Sequence, residues 1–96
     1  MKSAVFGAFL KAQREKKGVP QRIVAHAVDV DTSTLSKMEL GERPIYIAMI
    51  KPWVESLNLD FKKVQIEYIS EKIVTDFNGQ PHLLDALEIV KARLTI

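Results

Sequence analysis

The sequence predicts an all-α fold of five to six helices: a compact domain over residues 1–60 and a C-terminal helical extension over 61–96. Three observations carry this. Apolar residues recur at spacings of three and four along most of the chain. Runs of β-branched residues with period two are scarce. Polar cap residues and glycines bracket apolar stretches at helix length, as between Asp31 and Gly41.

The first helix is expected from Ser3, as N-cap, to Lys17, with Phe6, Phe9 and Leu10 as its apolar stripe and Gly18 as its stop. A short second helix is expected from Pro20 to Val28; proline suits a first turn, and Val24, Ala25 and Val28 face inward. Asp29 falls in the turn, Asp31 caps a third helix from Thr32 to Leu40, and Gly41 ends it. A fourth helix over Tyr46–Leu57 supplies Trp53, Val54 and Leu57 to the core. Pro52 within it predicts a kink, or a helix that effectively starts near Lys51.

Asp60 caps a long fifth helix to Phe77, Asn78-Gly79 makes a turn, and Pro81 opens a last helix to Leu94. The fifth helix is apolar on two sides. Phe61, Val64 and Tyr68 form one stripe, and Ile66, Ile69, Ile73 and Phe77 another. The last helix offers Leu83, Leu87, Val90 and Leu94. One stripe packs on the domain in front, and the second needs another partner, either this chain folding back or a second subunit. The extension is therefore read as a dimerisation element.

Composition narrows the function. With 47% apolar and 27% charged residues the chain is an ordinary globular one. It has no cysteine, which excludes a disulfide framework or thiolate metal site and fits a cytoplasmic location. No apolar run approaches the roughly 18 residues of a membrane span, so no membrane partner is expected. Residues 1–44 hold eight Lys/Arg against five Asp/Glu, a net of +3, and residues 45–96 hold six against seven, a net of −1. The basic half suits a polyanion, although such asymmetry also arises by chance. His26 and His82 are isolated and make no metal site, no activated serine or glycine-rich phosphate loop is present, and no enzyme activity or cofactor is expected.

The most informative stretch is residues 28–44, VDVDTSTLSKMELGERP. On a helical wheel Leu35 and Met38 point one way. Ser33, Ser36, Lys37 and Leu40 point the other way, with Thr32 at the edge. Short hydroxyls let a backbone approach a surface closely while offering donors and acceptors. The major groove of DNA admits such a helix and displays matching base-edge groups.

The pattern extends backwards through Leu10-Lys11-x-x-Arg14-x-x-Lys17-Gly18 and Gln21-x-x-Val24-Ala25-x-x-Val28-Asp29-Val30, and forwards to Leu35-Ser36-x-x-Glu39-x-Gly41. Over residues 6–60 it resembles the Cro and phage-repressor-like (XRE) helix-turn-helix regulators. The resemblance implies a lambda-repressor-like helix-turn-helix domain that binds double-stranded DNA. It places Thr32, Ser33 and Lys37, with Ser36 on the same face, where the family reads bases. Gln21, Arg43 and the neighbouring Arg22 fall where it holds phosphates. Arg14 and Glu39 take the positions of a structural ion pair. Five features depart from the family pattern: Asp29 replaces the usual turn glycine, Gln13 a usual apolar residue of the first helix, Pro20 the usual Ser/Thr cap, Leu40 a more polar residue, and Pro52 is unusual in the fourth helix. The expected function is a sequence-specific regulator, of repressor or restriction–modification controller type, that binds a palindromic operator as a homodimer. The alternative is a protein-interaction module, or an antitoxin-type binder of a protein partner, on the same scaffold.

Overall fold

The computed structural model describes residues 2–95, with side chains from Val5 onward. These residues form six helices and no strand: α1 (Lys2–Lys16), α2 (Gln21–Ala27), α3 (Thr32–Glu39), α4 (Ile47–Leu57), α5 (Phe61–Phe77) and α6 (Leu83–Leu94). The all-α fold class expected from the spacing is the one observed.

Helices α1–α4 end in the same way. At each C-terminus one residue turns left-handed, and the next N–H reaches back five residues. Gly18 (φ 67°), Asp29 (φ 60°), Gly41 (φ 79°) and Asn58 (φ 53°) are those residues. The reaching bonds are Val19 N to Arg14 O, Val30 N to Ala25 O, Glu42 N to Lys37 O and Leu59 N to Val54 O, at 2.8–3.1 Å. This closure satisfies carbonyls that a helix end would otherwise leave unpaired. Asp29 therefore performs the glycine's task in the turn between α2 and α3, at the cost of a conformation that Asp tolerates better than most residues.

The core gathers the inward faces of α1–α4 and the start of α5: Phe6, Leu10, Val24, Leu35, Trp53 and Val64 are among its buried members. Helix α1 packs on α3 and α5, α2 on α3 and α4, and α4 on α5. Packing thus continues past residue 60. Val64 is buried, and Tyr68 sets its ring edge-on to Phe6 at 5.2 Å. Trp53 is wholly buried, and its indole N–H has no hydrogen-bond partner among the described residues. Phe9, expected in the stripe of α1, lies at the rim of the core, 36% exposed.

Three expected boundaries are corrected. Ser3 is already helical, so it does not cap α1. Helix α4 runs unbroken through Pro52 from Ile47 rather than starting near Lys51. Proline there removes one backbone donor near the helix start, while Ile50, Trp53, Val54 and Leu57 lock the helix into the core. Pro81 does not open the last helix. Leu83 N bonds to Gln80 O in a turn, and the α-helical ladder begins only with Ala86 N to His82 O, at 3.0 Å.

Candidate nucleic-acid interface

Helix α3 is built to stand on the surface with one face free. Asp31 caps it: its Oδ1 accepts the Thr34 N–H at 2.7 Å. That bond, first, and the Thr34 hydroxyl, with Lys37 and Arg43 nearby, hold the Asp31 carboxyl below its ordinary value of 3.8. Leu35 and Met38 anchor the inner face. Thr32, Ser33 and Lys37 are exposed and Ser36 is half-buried at the edge of the same face. Leu40, the apolar exception, is 52% exposed.

Arg22, in the first turn of α2, and Arg43, in the loop after α3, are both exposed. Among the described residues neither they nor Lys37 form an ion pair. Each thus keeps its donors available to an anion.

Behind this face lies a buried polar cluster. Arg14 Nε donates to Glu39 Oε2 at 2.6 Å, and Arg14 Nη2 donates to Glu39 Oε1 at 3.0 Å. Arg14 Nη1 also donates to Val19 O at 2.9 Å. The Glu39 hydrogen bond, ahead of the opposing effect of burial, raises the Arg14 pKa further. The two-bonded fork ties α1 to the last turn of α3. Gln21 joins it: its Nε2 donates to Glu39 Oε1 at 3.0 Å. That bond orients the first side chain of α2 and leaves its carbonyl oxygen and second N–H uncommitted.

Two contributors carried no clear signal in the sequence. Gly7, in mid-α1, is buried where α1 crosses the end of α3. A Cβ there would collide with the Met38 carbonyl oxygen and lie 2.7 Å from that of Glu39. Tyr68, read only as part of an apolar stripe, donates its hydroxyl to Ile45 O at 2.6 Å and so pins the loop that carries Arg43 to α5. A lone glycine inside a helical pattern is the only hint of the first, and the second is a contact between distant segments.

Helices α2 and α3, their left-handed turn, the free outer face of α3 and the buried support from α1 make a helix-turn-helix arrangement. A family model described as a helix-turn-helix domain matches residues 5–55, more than half of the chain. The chain belongs to the helix-turn-helix domain family. Its match takes in α1 from Val5 on, α2, α3 and their turns, and α4 up to Glu55. The helix-turn-helix domain is that of a DNA-binding regulator, in keeping with the expected Cro and phage-repressor-like membership. No curated protein and no solved structure matches the chain. No helix among the described residues is long and apolar enough to cross a membrane.

Proposed function

We propose that this helix-turn-helix protein is a sequence-specific transcriptional regulator, of repressor or restriction–modification controller type, that binds a palindromic operator as a homodimer. It acts in the cytoplasm, without catalytic activity and without a cofactor. The observation that carries the reading is the outer face of α3: exposed Thr32, Ser33 and Lys37 and half-buried Ser36, together with exposed Arg22 and Arg43, which form no ion pair among the described residues.

With α3 in the major groove, Lys37 donates to guanine O6 or N7, and the hydroxyls of Thr32, Ser33 and Ser36 serve as donors or acceptors to base edges. Arg22, Arg43 and the free end of Gln21 take phosphate oxygens and fix the register of the helix on the duplex. One short helix reads only a few base pairs, so specificity follows from two copies on half-sites about one turn apart. A second reading rests on Leu40, 52% exposed on this same face: the face, or the helices after it, binds a protein partner in the antitoxin manner.

Salt dependence separates the two. The logarithm of the affinity for a duplex should fall with the logarithm of salt with a slope of about −0.9 per phosphate contacted. A slope near zero favours the protein-binding reading.

A further inference from the structure

The loop between α3 and α4 is held at one end by α3 and at the other by α5. At the first end Gly41 turns left-handed, and Glu42 N reaches back to Lys37 O at 2.8 Å. At the second end Ile45 is buried, and its carbonyl oxygen accepts the Tyr68 hydroxyl at 2.6 Å. Among the described residues no backbone N–H reaches that oxygen. The Tyr68 ring is itself held, edge-on to buried Phe6 at 5.2 Å and 71°. Arg43 lies between the two ends, exposed, and lines one cleft with Phe6, Ile45 and Tyr68.

We propose that Tyr68 is a positioning residue for DNA binding: through Ile45 it sets where Arg43 meets the phosphate backbone. The role rests on the DNA reading above. Arg43 precedes Ile45 by two residues, and the residue between them is Pro44. Proline fixes its own φ at about −65° and disfavours a helical backbone at the residue before it. The stretch from Arg43 to the anchored carbonyl therefore has few soft torsions, and a displacement of Ile45 carries Arg43 with it. Burial holds the Ile45 side chain, while the hydroxyl fixes the direction of its carbonyl. Without the hydroxyl that carbonyl turns toward water.

An arginine on a looser loop still reaches phosphate, but it loses more conformational freedom on binding. The base-reading side chains stand apart from this device, since α3 is anchored by Leu35 and Met38 and capped by Asp31. Tyr68 lies beyond the matched residues 5–55, in the segment the sequence marks for dimerisation. In this account α5 also belongs to the DNA-binding unit.

Tyr68→Phe in the full-length chain removes the hydroxyl and keeps the ring on Phe6. Binding to a short duplex of random sequence is followed by fluorescence anisotropy across a salt series, for the unsubstituted chain, Tyr68→Phe, Arg43→Ala and the double variant. Tyr68→Phe should weaken binding about three- to tenfold at moderate salt, the range that the net worth of one hydrogen bond allows. It should also make the salt slope shallower, in the same direction as Arg43→Ala. In the Arg43→Ala background it should change neither. A lower Tm with unchanged affinity and slope, or an equal loss in the Arg43→Ala background, overturns the role. Amide hydrogen exchange provides a measurement without DNA: exchange at Arg43, Ile45 and Tyr46 should quicken in Tyr68→Phe while α3 keeps its protection, and unchanged exchange at those three overturns the role. A slope that responds to Arg43→Ala but not to Tyr68→Phe overturns the role alone. An unsubstituted chain that binds no duplex overturns the DNA reading and the role with it.

Discussion

Truncating Glu39 to alanine removes the keystone of the buried polar cluster behind the outer face of α3. The Glu39 side chain is 1% exposed and that of Arg14 10%. The change deletes both bonds from Arg14 and the one from Gln21, and leaves Arg14 with Val19 O alone. Removing one partner of a buried ion pair costs about 3–5 kcal/mol, mostly because the survivor is stranded. The remaining carbonyl and the slight exposure of Arg14 place the loss near the lower bound, about 3 kcal/mol. Against a total stability of about 5–15 kcal/mol this is a large fraction. Urea unfolding followed by helical circular dichroism measures it. The double variant Arg14→Met/Glu39→Leu, which replaces both charges with apolar groups of similar volume, should recover most of the loss. A loss below about 1 kcal/mol for Glu39→Ala, or a double variant no better than the sum of the singles, would refute the assignment of this pair to fold stability. Base preference, measured well below the melting temperature, should not change.

Four further outcomes are expected. Gly7→Ala should destabilise by about 1–3 kcal/mol, because overpacking against two α3 carbonyls outweighs the roughly 1 kcal/mol that alanine gains in an open helix; a rise in Tm would contradict the close approach of α1 to α3. Lys37→Ala should relax base preference at one position in each half-site, by about 1–3 kcal/mol of discrimination; weaker binding with unchanged preference would place Lys37 on phosphate. Arg43→Ala and Gln21→Ala should weaken binding to all duplexes about equally, and Arg43→Ala should make the salt slope shallower by about one. The capping carboxylate of Asp31 has its folded-state pKa lowered, so its contribution is present above the ordinary value of 3.8 and is lost as pH falls through the still lower folded value. Asp31→Asn should therefore flatten the acid limb of the stability profile below about pH 4; an unchanged limb would dismiss the cap as a source of acid sensitivity.

Much of the fold was legible in the residues because its signals are local. Asp31 and Asp60 cap helices as expected, with the Lys63 N–H on Asp60 at 3.3 Å, and Gly18 and Gly41 mark left-handed stops. Asn58 makes the same stop without a glycine to announce it. Pro52 misled because its preference is local: a proline inside a helix costs about 3 kcal/mol, and the buried Ile50, Trp53, Val54 and Leu57 of the same helix outweigh it. The apolar partition of α3 followed from its period. The Gly7 contact, the Tyr68 tether and the bond from Lys17 Nζ to Asn58 O could not be read in advance, since each joins segments far apart in sequence. The polar outer face of α3 was legible because short hydroxyls at helical spacing have no use in a core.

Selection of the purified full chain on a random double-stranded DNA pool, with the survivors sequenced, tests the central claim most directly. The account expects an enriched inverted repeat, with half-sites about one helical turn apart. A folded, helical protein that enriches no sequence would contradict it.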